Sequence, residues 1–376
     1  MKYLFDNYLV FCQYIRNALR VSYDGKLSPC CDFVGDSGFA VEEYQQYIAS
    51  NWLDDLEKDL SNDVWPEGCK ICKNYETRNL KSLRNQKTDG YKVDIVIGNT
   101  CNSDCGMCGP ARSSKIASRL LKQPHPEHLL DAVDDQYLIS NRKETAYEMA
   151  SHGDFGEIFS KATEVKFVGG EPFLTKSIFR MIDQIYEIKP DMKIHMVTNA
   201  SSVNDEQIMS LARFKELFVC LSAEAAGDQY EYIRHGLDWN VFSSNAKRLR
   251  DISRYAYLSV DVSALNIATV DSILDFGYAN NIDAMIYQVI DPAILGLKNV
   301  ATAVIESQLD SLDRLNPHNN RSLVQLKMFK KSLIDLTRDR KDKHDQRLIR
   351  YLDYLNSTRD RYKLSIDDLI VNQKYQ

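Results

Sequence analysis

The stretch Asn99–Pro110, which reads NTCNSDCGMCGP, decides how the rest of the chain is interpreted. Its cysteines, Cys101, Cys105 and Cys108, have the spacing C-x3-C-x2-C within one loop. Three thiolates this close can hold three irons of a four-iron cluster and leave the fourth iron without a protein ligand. A zinc knuckle or a chance grouping of cysteines is the alternative for these residues taken alone.

Two predicted strands end in segments with candidate functional groups. The segment YKVDIVIG at residues 91–98 reads as a buried strand that delivers the cysteines at its C-terminal end. A second strand at 164–168 ends in Gly169, Gly170, Glu171 and Pro172. The glycines let the backbone approach a ligand closely, and Glu171 offers an acceptor for an ammonium group. Functional groups at the C-terminal ends of parallel strands are typical of an α/β barrel.

The cysteine spacing followed by the GGEP turn resembles the radical SAM enzymes. The resemblance implies a [4Fe-4S] cluster whose open iron binds the amino and carboxylate groups of S-adenosylmethionine, with the GGEP turn binding the amino group. It further implies that one electron from the cluster releases a 5′-deoxyadenosyl radical, which abstracts a hydrogen atom from a substrate. A flavodoxin- or ferredoxin-type reductant is then the expected partner.

Further strands are predicted within 193–200, 216–224, 257–266 and 284–290, which gives six strand–helix units. We therefore expect an α/β fold with a partial (β/α)6 TIM-like barrel, open on one side. By resemblance, additional contacts to S-adenosylmethionine are assigned to Asn199, Ser222, Glu224, Arg234, Ser263 and Gln288. For Arg234 the alternative is a solvated arginine on a helix.

A second group of cysteines precedes the barrel. Cys12 and Cys30 form the pattern C-x12-G-x4-C around an Asp-Gly turn, and Cys69 and Cys72 form C-x2-C. The turn predicts a hairpin of two short strands, and residues 41–60 read as helical. A hairpin and a C-x2-C turn brought together make a four-thiolate site, which suits either iron–sulfur or zinc.

This pattern resembles the SPASM/twitch module of radical SAM proteins, which holds an auxiliary [4Fe-4S] cluster. The resemblance assigns the ligand roles to Cys12, Cys30, Cys69 and Cys72. The module usually follows the barrel, whereas here it precedes it, which leaves its position over the active site open.

The residues after Cys30 carry a separate hypothesis. In sulfatase-maturing relatives, the residue directly after the matching cysteine is an aspartate that accepts a proton from the substrate. Here that position is Cys31, followed by Asp32, and the resemblance implies a catalytic role for them. The alternatives are that Cys31 is a small buried side chain, or that Cys31 is the ligand and Cys30 is spare.

Composition limits the remaining function classes. The net charge of −6 gives no general attraction to nucleic acid. Residues 321–363 hold 13 Lys and Arg against six acidic residues, but the charges interleave, which favours a solvated helical face over a nucleic-acid surface. No long apolar run or signal peptide is evident, and nine cysteines grouped for metal ligation indicate a reducing compartment, so we expect a cytoplasmic protein without a membrane span.

These observations predict three parts of the chain: a twitch-like module at 1–90, a radical SAM barrel at 91–292 and a helical segment at 293–376. The expected activity is radical oxidation, epimerisation or cross-linking of a peptide or small molecule, with an amino sugar or nucleotide dehydrogenase as one alternative. A non-catalytic iron–sulfur electron carrier and a zinc-stabilised nucleic-acid-binding protein are the alternatives from other classes.

Overall fold

The computed structural model describes residues 12–77, 81–122, 155–290, 292–338, 346–359 and 363–364. Their strands are β1 Ala18–Val21, β2 Leu27–Ser28, β3 Lys92–Val96, β4 Asp104–Cys105, β5 Glu164–Val168, β6 Lys193–Thr198, β7 Leu217–Ser222, β8 Arg234–His235, β9 Tyr255–Val262 and β10 Asp283–Gln288. Strands and helices alternate along most of this sequence, and most strand pairs are parallel, which makes the fold α/β as predicted.

The helices of the described residues bear out most of the helical predictions. They are α1 Tyr14–Asn17, α2 Tyr44–Ile48, α3 Asn51–Ser61, α4 Lys70–Thr77, α5 Ser114–Lys122, α6 Gly156–Lys161, α7 Lys176–Ile188, α8 Asp205–Ala212, α9 Gly227–Ile233, α10 Trp239–Ile252, α11 Val270–Ala279, α12 Thr302–Asp313, α13 Asn320–Thr337 and α14 Gln346–Thr358. The helix predicted over 41–60 is divided into a 3-10 turn, α2 and α3. Of the connection at 111–160, residues 123–154 lie outside the described part.

The chain divides into two compact units, to which the described residues are assigned. The first unit is drawn from Met1–Gly98, Glu148–Met196 and Met209–Leu217. The second unit is drawn from Asn99–Tyr147, Val197–Ile208 and Phe218–Gln376. The predicted boundaries near residues 90 and 292 remain a prediction.

In the first unit, strands pair in the order β2-β1-β3-β5-β6. The hairpin predicted around Asp24 and Gly25 is confirmed, because β1 and β2 pair antiparallel and Gly25 has φ +77°. The other pairs in this unit are parallel, and β1 lies directly beside β3. The sequence did not predict this last pairing, which joins the N-terminal hairpin to the edge of the parallel strands.

The two faces of β3, β5 and β6 have opposite chemistry because side chains alternate along a strand. One face is apolar and almost fully buried; it comprises Val93, Ile95, Val165, Phe167, Ile194 and Met196. The other face, called the charged face below, comprises Lys92, Asp94, Glu164, Lys166, Lys193 and His195. The charged residues of these strands therefore lie on one side of the sheet.

In the second unit, β7, β9 and β10 pair parallel in that order. The short strands β4 and β8 pair antiparallel, with Cys105 opposite Arg234. All six strands predicted for the barrel are thus present at the predicted positions, distributed over the two units. No helix among the described residues has both the length and the apolar character needed to cross a membrane.

Candidate functional site

The cysteine loop of the second unit is fixed by backbone pairing on both sides. Cys105 lies in β4, opposite β8, and the next residue, Gly106, donates its N–H to the carbonyl of Ile233 at 2.9 Å. At the base of the loop, the side chain of Asn99 donates to the carbonyl of Pro110 at 3.0 Å. These hydrogen bonds fix the backbone path of the loop that carries Cys101, Cys105 and Cys108.

A buried ion pair adjoins the second cysteine. Arg234 donates from Nε and Nη2 to the two carboxylate oxygens of Glu224, at 2.7 and 2.5 Å. Its third nitrogen, Nη1, lies 3.8 Å from Sγ of Cys105. Burial alone would lower the pKa of Arg234, but the charge of Glu224 raises it well above its usual value, so the guanidinium stays charged.

Burial and neighbouring charges shift the pKa values of the cysteines in this loop. Burial raises the pKa of Cys105, and the charge of Arg234 opposes that rise. Burial also raises the pKa of Cys108 to about 12, with a further contribution from Cys105. A positive charge beside Cys105 favours its thiolate, which is the form that ligates metal.

Asp104 anchors the loop from the other side of the same strand. Arg119 of α5 binds its carboxylate through two nitrogens, at 2.6 and 3.0 Å. Arg359, which follows α14, lies 3.5 Å from the same carboxylate and donates to the backbone carbonyl of Asp104 at 2.9 Å. Arg359 also donates to the carbonyl of Tyr232 at 3.0 Å, and it is 2% exposed.

Helix α14 packs directly on the loop. The hydroxyl of Tyr351 donates to the carbonyl of Gly106 at 2.5 Å. A Cβ placed on Gly106 would lie 2.8 Å from a methyl of Leu265 and 3.3 Å from one of Leu355, so a larger residue does not fit without movement. The C-terminal helical segment therefore holds the cysteine loop. Part of its basic character serves this contact, which the composition of the tail did not predict.

The remaining predicted residues of the second unit have different surroundings. Asn199 lies beside the first cysteine, with its Nδ2 3.9 Å from Sγ of Cys101 and 3.2 Å from Oδ1 of Asn102. Ser263 is fully buried, and its backbone N–H and hydroxyl bond to Asn266. Gln288 is exposed and donates to the hydroxyl of Ser332 at 2.9 Å.

Ser222 is half-buried at the C-terminal end of β7. The structure thus brings Asn199, Glu224 and Arg234 to the cysteine loop, whereas Gln288 bonds a residue of α13 instead. Their roles toward S-adenosylmethionine remain predictions.

The GGEP turn of the first unit is a tight backbone structure. Gly169 has φ +135°, and a Cβ there would lie 2.7 Å from the carbonyl oxygen of Gly98. Gly170 donates its N–H to that same carbonyl at 2.9 Å. Glu171 is fully buried and accepts from the N–H of Phe173 at 3.1 Å, which caps the 3-10 turn Pro172–Leu174.

The four N-terminal cysteines line one cavity of the first unit. Its wall includes Cys12, Cys30, Cys69 and Cys72 together with Asp32, Trp65, Arg84 and mostly apolar residues, but not Cys31. Burial raises the pKa of Cys69 to about 12, and its closeness to Cys12 and Cys72 adds to that rise. The hairpin and the C-x2-C turn therefore contribute to the same cavity, with Cys30 on its wall, and the four-thiolate site remains a prediction.

Two contacts hold the parts of this cavity together. The backbone of Val34 donates to the carbonyl of Gly68 at 2.8 Å, and a Cβ on Gly68 would overlap the ring of Phe33. Arg84 stacks over the ring of Trp65, with 4.6 Å to the centroid, and it forms an ion pair with Glu76. Arg84 thus places a positive charge on the cavity wall that the sequence analysis did not identify.

Cys31 and Asp32 lie next to the charged face. The residue surface of Cys31 is exposed, and its Sγ is 3.9 Å from Oδ1 of Asp32. Loss of hydration around the sulfur raises the thiol pKa to about 12, and the charges of Asp94 and Asp32 add to the rise. This direction is the opposite of what a thiolate base needs, and the predicted catalytic role remains a prediction.

The donor set fits the expected clusters in its chemistry. All nine cysteines are free thiols, and soft thiolates suit iron–sulfur clusters and zinc alike. Among the described residues, no three His, Cys, Asp or Glu side chains form a group that could hold a metal ion. The residues present therefore match the expected clusters in donor chemistry, through free thiols with basic side chains beside them, and not in the mutual placement of the donors.

Several residues near these sites were not predicted from the sequence. Arg359 and Tyr351 reach the cysteine loop from the far end of the chain, and no spacing rule links them to it. Asp94 and Lys166 could have been found, because charged residues alternate with apolar ones in their strands.

Comparison with solved structures gives only low similarity. The structure of native anSMEcpe with bound AdoMet is 13% identical, with a TM-score of 0.42, over 66% of this chain and 62% of that chain. The Streptococcus suis SuiB structure is 15% identical, with a TM-score of 0.39, over 93% and 75%. The chain covers 58% of the anSMEcpe structure that holds AdoMet and the Cp18Cys peptide. Similarity at this level carries no information on substrate.

The family comparison is more specific than the structural one. No curated protein matches the chain. The family model described as the radical SAM superfamily matches residues 95–276, a range that includes the cysteine loop, the GGEP turn and the Glu224–Arg234 pair. This part of the chain is therefore similar to the radical SAM superfamily.

Proposed function

We propose that the chain is a radical SAM enzyme with two [4Fe-4S] clusters that acts on a peptide or a small molecule. The observation that carries the proposal is the family match over 95–276 together with three free cysteines on one loop inside that range. When bound, the cluster and S-adenosylmethionine supply a 5′-deoxyadenosyl radical that can abstract a substrate hydrogen atom.

The residues around the cysteine loop have distinct proposed roles. Cys101, Cys105 and Cys108 hold the cluster. Arg234 stabilises the thiolate of Cys105 and is itself held by Glu224, through the contacts at 3.8, 2.7 and 2.5 Å. Since Glu224 already occupies two nitrogens of Arg234, the guanidinium is better suited to the cluster side of the site than to a bidentate contact with the methionine carboxylate.

The second cluster is proposed for the cavity lined by Cys12, Cys30, Cys69 and Cys72. The support is that four cysteines of two separate motifs share one cavity wall, whose charged residues are Arg84 and Asp32. Cys30 is preferred over Cys31 as the ligand because Cys31 is not part of that wall. The cluster could relay an electron or accept one from a substrate radical, and this choice belongs to the proposal.

Cleavage of S-adenosylmethionine tests the first half of the proposal. Reconstituted and reduced protein should convert it slowly to 5′-deoxyadenosine and methionine without substrate, as measured by chromatography. Gly170→Val should stop this conversion, because it adds a branched side chain to the turn proposed to bind the amino group. If the reduced, iron-loaded protein produces no more 5′-deoxyadenosine than buffer does, an electron carrier becomes the better explanation.

Metal identity tests the second half. Iron–sulfur protein should be brown, with a broad absorbance band that a zinc protein lacks. Zinc in place of iron at Cys12, Cys30, Cys69 and Cys72 would contradict the auxiliary cluster and leave the first half of the proposal standing. A flavodoxin or ferredoxin as reductant, a cytoplasmic location and a catalytic Cys31 or Asp32 are parts of the proposal that need their own tests.

A further inference from the structure

A row of four ionisable side chains crosses the charged face of the first unit. The register of the parallel strands places Arg20 of β1 beside Asp94 of β3, Asp94 beside Lys166 of β5, and Lys166 beside His195 of β6. Since residues in register on neighbouring parallel strands point to the same face, these four side chains line one strip of surface. The segment of Cys31 and Asp32 adjoins the strip, because Arg20 donates to the carbonyl of the next residue, Phe33, at 3.2 Å.

The preceding row of the same face is closed by ion pairs. Glu164 binds Lys193 at 2.9 Å, Lys92 at 3.9 Å and Nδ1 of His195 at 3.7 Å. One carboxylate thus satisfies the basic groups around it. This row shows how charged side chains on the same face pair with one another when no ligand is needed.

The row of Arg20, Asp94 and Lys166 is different, because no salt bridge joins its members among the described residues, although burial raises the pKa of Asp94 and the charge of Lys166 opposes that rise. Lys166 is half-buried, yet its ammonium has no hydrogen bond or salt bridge to any described residue. Arg20 donates only to the carbonyl of Phe33, at 3.2 Å, and has no carboxylate within ion-pair distance in the described residues. Two cations and two carboxyl groups therefore share a strip without forming a salt bridge, and a partly buried ammonium needs an acceptor.

We propose that Lys166, assisted by Arg20, binds an anionic group of the substrate, either a carboxylate or a phosphate. Asp94 and Asp32 lie beside the cations as acceptors for a donor group, such as an ammonium or hydroxyl, of the same molecule. The inference rests on the proposed function only in calling the bound molecule a substrate. The anion site itself depends on this row of side chains alone. It names a chemical class for the unknown substrate, namely a molecule with an acidic group next to a hydrogen-bond donor.

The test measures the binding of two probes, inorganic phosphate and acetate, to the reconstituted full chain by calorimetry. S-adenosylmethionine is kept saturating, so that sites for its own carboxylate are filled. We expect one of the probes to bind in the millimolar range. Lys166→Met should weaken that binding about tenfold or more, since a charge-assisted hydrogen bond is lost. The probe that binds more tightly identifies the source of the anionic group.

Lys193→Met is the matched control, because it removes a lysine from the same face that is already paired with Glu164. It should leave the probe affinity unchanged, and Lys166→Arg should restore most of it. Equal binding by Lys166→Met and wild type, or no binding of either probe at millimolar concentration, would overturn the inference. If the probe site depends on Lys166 but the wild type never cleaves S-adenosylmethionine, the proposed function fails and the anion site stands.

Discussion

Arg234 lies between a carboxylate and a cysteine in the buried part of the second unit. Replacing it with Met leaves Glu224 as a buried charge without its partner, so the free energy of unfolding should fall by about 3–5 kcal/mol. Urea unfolding of the metal-free protein under reducing conditions measures this change. Metal-free protein is used so that lost stability is not confused with lost cluster.

Arg250→Met is the control for this variant, because Arg250 pairs with Asp251 on the surface, where such a pair contributes about 1 kcal/mol or less. Adding Glu224→Gln to Arg234→Met should recover part of the loss, since the second change removes the unpaired charge. A cost of less than about 1 kcal/mol for Arg234→Met would mean that Glu224 is not held as a charged group.

Glu164 gives the charged face a measurable pH dependence. Burial would raise its pKa, but hydrogen bonds from His195 and Lys193 and the charges of Lys193 and Lys92 outweigh burial and hold the pKa at about 2. Because the folded pKa is below the unfolded value of about 4.3, Glu164 stabilises the protein above that pH. The stabilisation should be lost as the pH falls from about 4 to about 2.

Glu164→Gln should therefore lower stability at pH 7 and make the loss on acidification smaller than in wild type. Glu157→Gln, which removes a carboxylate on a neighbouring helix whose salt bridge to Lys161 is exposed, should keep the wild-type slope. Thermal unfolding at a series of pH values checks both. Parallel curves for wild type and Glu164→Gln would contradict the assignment.

At the scale of single residues, the sequence predicted the candidate site residues better than it predicted the contacts that these residues make. Spacing rules identify cysteines and glycine turns because their neighbours in the chain are their neighbours in space. Arg234 was predicted as a contact to the methionine carboxylate, but its partners Glu224 and Cys105 depend on the pairing of β4 with β8. That pairing joins segments with no common pattern.

Among the turns, Gly169 depends most on the absence of a side chain. Its φ of +135° disfavours other residues, and an added Cβ would lie 2.7 Å from the carbonyl of Gly98. Gly169→Ala should lower the free energy of unfolding by more than the conformational strain alone, which is about 1–3 kcal/mol. Gly35→Ala is the matched control, because Gly35 has φ +92° but nothing within 4 Å of its added Cβ. Equal losses for the two variants would show that the close approach at Gly169 has no energetic weight.

Helix α14 should control the mobility of the cysteine loop. Tyr351→Phe removes the hydroxyl that donates to Gly106 and should cost about 1 kcal/mol, with faster amide hydrogen exchange in residues 101–112. Arg350→Met changes an exposed residue of the same helix and should leave that exchange unchanged. Unaltered exchange in Tyr351→Phe would mean that the helix does not restrain the loop. Hydrogen exchange with mass spectrometry gives both results.

At the scale of elements, the alternating and continuous apolar patterns predicted the strands closely, as for Lys193–Thr198 and Leu217–Ser222. Local sequence determines these segments because burial of one or both faces leaves a periodic trace. The parallel pairing of β1 with β3 left no such trace, since strand order depends on contacts between distant segments. The break between α2 and α3 at residues 49–50 was also missed.

For the whole molecule, the two cysteine groups belong to different compact units. We therefore expect their metal contents to be independent: about eight irons per chain after anaerobic reconstitution, from two four-iron clusters. Replacing Cys101, Cys105 and Cys108 by Ala should leave about four, and so should replacing Cys12, Cys30, Cys69 and Cys72. Iron and sulfide analysis provides the measurement. Complete loss of iron in either variant would mean that one cluster cannot be held without the other.

The contacts of Tyr351 and Arg359 with the cysteine loop also have a consequence for the order of events during synthesis. Arg359 and the residue it holds, Asp104, are 255 positions apart in the chain. The loop leaves the ribosome long before α14 exists, so its cysteines are first presented without Tyr351 and Arg359 around them. Iron delivered to the nascent chain would meet the loop without these contacts, and translation of α14 and Arg359 would then add them. Premature termination before residue 346 should consequently yield a chain that acquires iron and loses it quickly, although its cysteines are all present.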